Sequence, residues 1–459
     1  MPYPNKRPPA FILVLAILSL LVYAGLTAAG NLRDLLPAYL AGHAVLLALM
    51  FLAWFRLRHS GDGMRLVLGA ALLFRLVSAV GEPALSDDVY RYVWDGRVQL
   101  HGIHPYSFAP EDPALEHLRD SDWARINHPE LKTIYPPLAQ ILFLVLAALG
   151  AGPVGFKLAM GLLDFGVVLA LVRLLKKLGL PGDRAVLYAW NPLAVLETAG
   201  SGHIEPLAVL LVLLAALWII EPRRSLSTAA LAGAVQVKLL PAALLLGYAR
   251  RLRNRHLLLL VLVLIVPALP YVISGPAVGA GLFDYAERWE RNAFIYAGVE
   301  RLMEWVDTGP LLKGWIAAAQ QRFSADWVPW NFFYNHVWPR DIARAVVLLA
   351  AMAWIVHLAF RRRLGAVQET YLVLAGVLLL SPILHPWYLL WVLPFAVAFL
   401  SPGWLLLSLL VPLSYIGSES GVPWSVRCIE FLPSIALMVW SALGDRRRIP
   451  LPGKAGDPG

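Results

Sequence analysis

The sequence predicts an all-α protein, a polytopic membrane helical bundle of about 13 to 14 membrane segments. Hydrophobic residues make up 59% of the chain and the mean hydropathy is +0.64, which is far above the apolar content of ordinary soluble domains. Lys and Arg fall mostly in short clusters between apolar stretches, as cytoplasmic loops of membrane proteins require. Together these observations fix the predicted fold class.

Apolar stretches of two kinds make up the predicted bundle. Those long enough to cross a hydrocarbon core lie at residues 11–29, 35–55, 64–80, 155–177, 203–220, 256–273 and 342–360. Shorter or broken stretches lie at residues 136–151, 184–199, 226–249, 368–383, 387–401, 403–417 and 429–443. We predict one membrane domain at 1–445 and a cytoplasmic tail at 446–459.

Composition also excludes several classes of function. The net charge of +9 reflects membrane topology rather than nucleic-acid binding, because the basic residues alternate with apolar segments. A single cysteine, Cys428, rules out an internal disulfide framework and a cysteine-rich metal site. No phosphate-binding loop, nucleophile elbow, dinucleotide fingerprint or Cys/His metal spacing occurs. We therefore predict no metal, no cofactor and no nucleic-acid partner.

One long polar and aromatic stretch, residues 81–137, interrupts the apolar pattern. It begins with acids and guanidinium groups in quick succession: Asp87, Asp88, Arg91, Asp95 and Arg97. In a helix, Asp88, Arg91 and Asp95 would share one face. Such a cluster can present a carboxylate that activates an acceptor hydroxyl beside a guanidinium that holds an anion. The alternative is a solvated helix start with ordinary salt bridges.

The positive-inside rule places this stretch outside the cytoplasm and constrains the segment that follows it. If residues 136–151 crossed the membrane, the basic clusters around Arg173 and Arg223 would both face outward. We therefore predict that residues 136–151 lie along the outer face. This topology puts the turn at residues 201–206 on the same outer side as Asp88.

A second segment, residues 226–249, has basic clusters on both sides and must enter the membrane and return. Its predicted turning point is 236–241, which brings Lys238 to the outer side. The loop 274–340 is also predicted outside, where its amphipathic aromatic part could form a lid. Polar residues distant in sequence then converge on one membrane face: Asp87, Asp88, His104, Tyr135, His203, Glu205, Lys238 and His385.

Several short motifs carry a resemblance to a known family: SDDVYRYVWDGRV, GIHPY, IYPPLAQ, WNPLAVLETAGSGHIEP and SPILHPWYLLWVLPF. With an Asp-Asp pair in the first outer loop and a late His-Pro-Trp-Tyr turn, the chain resembles the GT-C superfamily of polyprenyl-phosphate-sugar-dependent glycosyltransferases. Within it, the motifs are similar to bacterial mannosyltransferases of glycosyltransferase family 87 and to relatives of the first mannosyltransferase of GPI-anchor assembly.

The resemblance implies an inverting transfer of a hexose, most often mannose, from a polyprenyl-phosphate donor to a glycan or glycolipid acceptor. The enzyme would be an integral, multi-pass protein of the cytoplasmic membrane, with its active site on the extracytoplasmic side. The base of this family is a loop aspartate, which corresponds to Asp87 or Asp88. Asp88 is preferred because it shares a helix face with Arg91. The resemblance implies no metal.

The departing lipid phosphate gains negative charge, so nearby cations would stabilise the transition state. The predicted phosphate-binding residues are Arg91, Lys238 and His385. Lys238 could instead snorkel outward, and His385 could be a helix-end histidine bonded to the backbone. Predicted substrate-binding residues are Asp95, Arg97, His104, Tyr106, Tyr135, His203, Glu205, Trp387 and Tyr388. The aromatic ones could instead anchor the protein at the membrane interface.

Three rival functions remain open at this point. A lipid flippase or transporter would also hold charges among broken helices, although the sequence shows no matching halves. A non-catalytic partner in glycan assembly could bind a glycolipid through the outer loop. A third possibility is an enzyme that uses lipid diphosphate donors.

Overall fold

The computed structural model describes residues 10–60, 63–274, 281, 289–323, 327–361, 363–417 and 421–444. The helices of the first half are α1 Ala10–Ala28, α2 Leu36–Ser60, α3 Met64–Ala79, α4 Asp88–Leu100, α5 Pro137–Ala148, α6 Pro153–Lys177, α7 Val186–Ala189, α8 Pro192–Val195, α9 Glu205–Ile220 and α10 Arg224–Val237. Those of the second half are α11 Leu245–Ala249, α12 Asn254–Ile265, α13 Leu269–Ser274, α14 Ile295–Trp305, α15 Thr308–Phe323, α16 Trp330–Asn335, α17 Pro339–Phe360, α18 Ala366–Leu380, α19 Leu393–Phe399, α20 Pro402–Leu410 and α21 Trp424–Gly444.

This architecture confirms the predicted all-α membrane bundle. In the described part of the chain, β pairing is limited to an isolated bridge between Arg291 and Ile383. Six described helical segments are long and apolar enough to cross a membrane: Ala10–Ala28, Leu36–Arg58, Pro153–Lys177, Asn254–Ile273, Pro339–Phe360 and Trp424–Leu443. Many of their apolar side chains face outward, as lipid contact requires. The chain is a multi-pass membrane protein.

Helix α5 is the segment predicted to lie along the membrane face. Its 12 residues span about 18 Å, well short of a hydrocarbon core of about 30 Å. It begins at the Pro136-Pro137 pair and packs against α4. Gly96 of α4 approaches it so closely that a Cβ atom there would lie 2.4 Å from the Phe143 carbonyl oxygen. The short helix therefore supports the helix that begins at Asp88.

The predicted turning segment breaks at the expected place. Helix α10 ends at Val237, and Lys238 adopts an extended conformation with φ −151° and ψ 148°. A 3-10 turn at Leu240–Leu244 follows, with Pro241 near its start, and leads into α11. Lys238 therefore lies at the junction of two helical pieces rather than within a helix.

A buried polar cluster joins three helices in the core. The Arg75 guanidinium donates to Asp164 Oδ2 from Nε at 2.8 Å and from Nη2 at 2.6 Å. The Tyr188 hydroxyl donates to the other oxygen, Oδ1, at 2.5 Å. Because all three side chains are buried and the carboxylate has partners on both oxygens, this cluster ties α3, α6 and α7 together without the penalty of an unpaired charge.

The loop predicted as a lid is described only in part. Residues 275–280, 282–288 and 324–326 lie outside the described residues, as does the predicted tail, 446–459. Of the rest, α14 packs against α17, and the Arg291 backbone pairs with residues 382–384, directly before His385. The lid stays a prediction, but part of this loop borders the site described below.

Candidate active site

Asp88 is the first residue of α4, and its carboxylate is held from two sides. Oδ1 accepts a hydrogen bond from the Asn127 amide at 2.9 Å. Oδ2 lies 3.7 Å from Nε2 of His203. The Asp88 side chain is 22% exposed whereas that of His203 is fully buried. A carboxylate that neighbouring protein groups orient, and that is still partly accessible, is suited to receive a proton from a bound substrate.

His203 lies between two carboxylates. Its Nδ1 lies 2.9 Å from the Glu197 backbone oxygen and 3.4 Å from the Glu197 carboxylate. Since Nδ1 must donate to that carbonyl, a neutral ring would turn a lone pair on Nε2 toward Asp88, whereas a protonated ring turns an N–H toward each of the two carboxylates. Burial alone lowers the pKa of His203, but Glu197, Asp88 and Glu205 together raise it above its ordinary value.

Glu197 completes a line of polar groups that the sequence analysis missed. It is buried within a π-helical turn, Leu196–Gly200, and the Tyr415 hydroxyl donates to its Oε1 at 2.8 Å. Single π-turns occur frequently at functional sites. The sequence does contain a signal that Glu197 is functional: it is an acid within an apolar stretch, and ionisable groups in membrane segments are costly unless they have a function. Tyr415, Glu197, His203 and Asp88 thus form one continuous polar row.

Trp387 contacts both histidines of the site. The His203 ring stacks against the indole with centroids 3.8 Å apart, and the His385 ring does so at 4.3 Å. Burial lowers the pKa of His385 to about 3, despite the opposing effect of Asp88. His385 is therefore neutral and can still donate one N–H, while His203 is favoured as a cation. The predicted turn around Trp387 thus reaches the same site as the first outer loop.

Lys238 pairs with Glu205, which begins α9. The Lys238 ammonium contacts Glu205 Oε1, and it also lies 4.9 Å from the centre of the Tyr388 ring. The Glu205 side chain is fully buried, while that of Lys238 is 20% exposed. The ammonium therefore neutralises a buried acid, while the Lys238 side chain stays partly accessible. This contact favours the site-facing role predicted for Lys238 over outward snorkelling.

A small, mostly apolar cavity of about 140 Å³ opens beside Lys238. Its lining residues are Ile134, Tyr135, Pro136, Lys238, Leu239, Leu240, Leu378, Ser381, Tyr388 and Trp391. It thus combines an apolar wall with one ammonium group, an arrangement that can receive the polar end of a lipid.

The two neighbouring aspartates lie in different environments. Burial raises the pKa of Asp88, but His203, Asn127 and Lys238 outweigh burial and lower it below its ordinary value. Burial raises the pKa of Asp87, although Arg33 and Arg125 oppose this effect. Asp88 is therefore the member of the pair that faces the histidines as a stable carboxylate.

Three predicted residues lie in other contacts. Asp95 accepts hydrogen bonds from Arg91 at 2.9 Å, from Thr133 at 2.6 Å and from Gln140 at 2.8 Å. Arg91 also donates to the Leu131 backbone oxygen. These bonds favour a structural role for the Arg91–Asp95 pair, which anchors the outer loop to α4.

Arg97 forms an ion pair with Asp120 at 2.6 Å, within the outer loop. The structure therefore does not bring Arg97, Arg91 or Asp95 into direct contact with Asp88. Their phosphate- and substrate-binding roles stay predictions.

The predicted aromatic wall lies beside the cavity. The Tyr106 hydroxyl donates to the Tyr135 backbone oxygen at 2.6 Å, and His104 Nε2 lies 2.9 Å from the Tyr271 backbone oxygen. Tyr135 itself lines the cavity next to Lys238. Among the residues that the structure describes, no group of three or more His, Cys, Asp or Glu side chains has the arrangement of a metal site.

Comparison with known families decides the class of protein. A family model described as the N-terminal domain of alpha-(1->6)-mannopyranosyltransferase, of the MptA_B family, matches residues 21–253. The chain belongs to this mannosyltransferase family. A second family model, the MptB C-terminal domain, matches residues 338–416 of the mannosyltransferase. Comparisons with curated proteins and with solved structures gave no match. The family confirms the resemblance drawn from the sequence motifs.

The two matched regions of the mannosyltransferase meet at the candidate site. Asp88, Glu197, His203 and Lys238 fall in the first region. His385 falls in the second. The bundle thus builds one site from both parts of the family pattern.

Proposed function

We propose that this mannosyltransferase moves mannose from a polyprenyl-phosphate donor to a glycan or glycolipid acceptor, with inversion at the sugar carbon and Asp88 as the general base. The site would open on the extracytoplasmic face of the cytoplasmic membrane, because the positive-inside rule places the outer loop there. The observation that carries the proposal is the arrangement of a partly exposed Asp88 carboxylate beside His203, in the same site as a cation, Lys238, that borders an apolar cavity.

Asp88 is suited to the acceptor side of the reaction. In the proposed step the acceptor oxygen bonds to the anomeric carbon and its proton passes to Asp88. Asn127 holds one carboxylate oxygen by a hydrogen bond, and His203 faces the other at ion-pair distance, so the base is oriented before the proton arrives. A positioned general base typically contributes a rate factor of about 10²–10⁴.

Lys238 is suited to the leaving-group side. As the bond between the anomeric carbon and the phosphate oxygen breaks, its electron pair stays on the phosphate, whose negative charge increases. The ammonium stabilises that charge more in the transition state than in the ground state. Apolar residues of the cavity, including Leu239 and Leu378, provide a surface for the first isoprene units of the lipid. His385 can add a neutral N–H donor.

Inversion requires the acceptor hydroxyl to attack the anomeric carbon from the face opposite the departing phosphate. Asp88 and Lys238 act on one another electrostatically, yet they do not form an ion pair. The buried Trp387 ring supports the partly exposed His385 ring by stacking, which places His385 where it can contact the sugar.

Transfer of labelled mannose by the purified protein in lipid nanodiscs tests this function. We expect transfer from polyprenyl-phosphate mannose and an α-linked product from a β-linked donor. Glucose and arabinose analogues should be poor donors. Transfer only from a lipid diphosphate donor, or passage of the donor lipid across a bilayer without transfer, would contradict the proposal and favour one of the rival functions.

A further inference from the structure

A second cavity, lined by polar and basic groups, lies at the far end of the helices that frame the site. Helix α9 begins at Glu205 in the candidate site and ends at Ile220, about 24 Å away. Helix α10 packs beside it and runs from Arg224 back to the Lys238 junction. The turn between these helices borders a cleft of about 390 Å³, hereafter the basic cleft.

The basic cleft is lined by positive and polar groups from two parts of the chain. Its residues come from the start of α10 with the turn before it and from the start of α12: Pro222, Arg223, Arg224, Ser225, Leu226, Arg253, Arg255 and His256. The positive-inside rule explains why basic residues occur in these loops, but it does not require them to surround one concave space.

Three of the four arginines of the basic cleft lack an acidic partner among the described residues. Glu221, the nearby acid, lies 2.8 Å from Arg173 and 3.7 Å from both Lys177 and Arg223. Within the described ranges, no carboxylate lies within the 4.0 Å ion-pair distance of Arg224, Arg253 or Arg255. The cleft therefore holds uncompensated positive charge.

Two helix starts add donors to the same space. Helix α10 begins at Arg224 without a side-chain cap, so its first backbone N–H groups keep their hydrogen-bonding capacity. Helix α12 begins at Asn254, and its buried His256 accepts the Arg253 backbone N–H at Nδ1, at 3.2 Å. The ring proton of neutral His256 must then lie on Nε2, which makes this nitrogen a donor at the cleft wall.

We infer that the basic cleft binds a phosphate-bearing anion. Guanidinium groups and helix N-termini are the groups that bind phosphate best. The phosphate can come from the headgroup of an anionic lipid in the leaflet beside the cleft, or from a soluble phosphate compound. Basic pockets between membrane helices bind anionic headgroups in this manner. The inference does not depend on the reaction proposed above.

The test compares the purified full chain with the double variant R253Q/R255Q. Phosphatidylglycerol retained by the detergent-solubilised protein is measured by native mass spectrometry, and inorganic phosphate binding by thermal shift. We expect each lost arginine to weaken binding by about fivefold. The variant R253K/R255K, which keeps the charge, should retain most of the binding, and the melting temperature of R253Q/R255Q without ligand checks that its loss does not reflect misfolding.

The matched control is R56Q/R58Q, which removes the same charge from basic residues that lie over the Phe11 and Trp54 rings, outside the basic cleft. The site is supported if R253Q/R255Q retains less phosphatidylglycerol or binds inorganic phosphate more weakly, while R56Q/R58Q behaves like the unmodified protein. A loss of retained phosphatidylglycerol identifies a lipid headgroup as the ligand. A loss of inorganic phosphate binding alone identifies a soluble anion. Equal loss in both double variants, or no loss in R253Q/R255Q, would overturn the inference.

Discussion

His203 faces Asp88 with Nε2 3.7 Å from Oδ2, while its Nδ1 faces Glu197 on the other side. This relationship makes the imidazole a link between a buried acid and the accessible one. Because both neighbours are carboxylates, the protonated ring is the form that fits. The consequence is that Glu197, which does not touch the proposed substrate position, should act on the reaction through His203.

The substitution Glu197→Gln should move the alkaline limb of the pH–rate profile. The pKa of His203 is raised in the folded protein, so His203 stays protonated up to a pH above its ordinary value of 6.5 and loses its proton as the pH rises further. Loss of that proton turns a lone pair toward Asp88 and should lower activity. Removing the Glu197 charge lowers the pKa of His203, so the limb moves to lower pH.

A matched control for this change is Glu369→Gln. Glu369 is also buried, but it pairs with Arg251, away from the site. This variant should lose stability without a shift of the limb. If E197Q lowers the rate equally at every pH, Glu197 has only a structural role.

Lys238 should be needed for both stability and turnover, and a double variant separates the two. Lys238→Gln leaves Glu205 buried and unpaired, which costs about 3–5 kcal/mol. The double variant K238Q/E205Q removes both charges and should recover most of the melting temperature. It should not recover mannose transfer, because the leaving phosphate still lacks its cation. Recovery of transfer along with stability would show that the ion pair is only structural.

Gly96→Ala should disturb the packing of α4 against α5. The added methyl would lie 2.4 Å from the Phe143 carbonyl oxygen and 2.9 Å from Ala147 Cβ, so the helices must separate. Such overpacking costs about 1–3 kcal/mol. We expect a lower melting temperature and weaker transfer, because α4 carries Asp88.

Gly69→Ala in α3 is the control for this substitution, since nothing lies within 4 Å of its added Cβ. That change should be neutral or stabilising by up to about 1 kcal/mol. If G96A and G69A melt alike, the close contact between α4 and α5 does not limit stability.

Much of the architecture could be predicted from the sequence. Charge clusters and apolar lengths predicted the all-α membrane class, and the charge rule indicated a shallow segment where the structure has the 12-residue α5. The same rule indicated the break at Lys238. These features depend on local composition, which a single sequence displays.

The site was harder to predict because its contacts are between residues far apart in the chain. Glu197 is a single acid in an apolar stretch, and its partner Tyr415 lies 218 residues later. Arg91 and Asp95 share a helix face with Asp88, as the spacing indicated, but Thr133 and Gln140 direct Asp95 away from it. Spacing within one helix could not reveal which groups from other segments would meet each side chain.

The most direct test of the account is mannose transfer by Asp88→Asn beside Asp87→Asn, both purified and equally folded. The Asp88 variant keeps the size and polarity of the side chain but removes the base, so transfer from polyprenyl-phosphate mannose should fall by about 10²–10⁴. The Asp87 variant should keep most of its transfer, since Asp87 lies outside the histidine group. Undiminished transfer by D88N, or a greater loss in D87N, would contradict the assignment of Asp88 as the base.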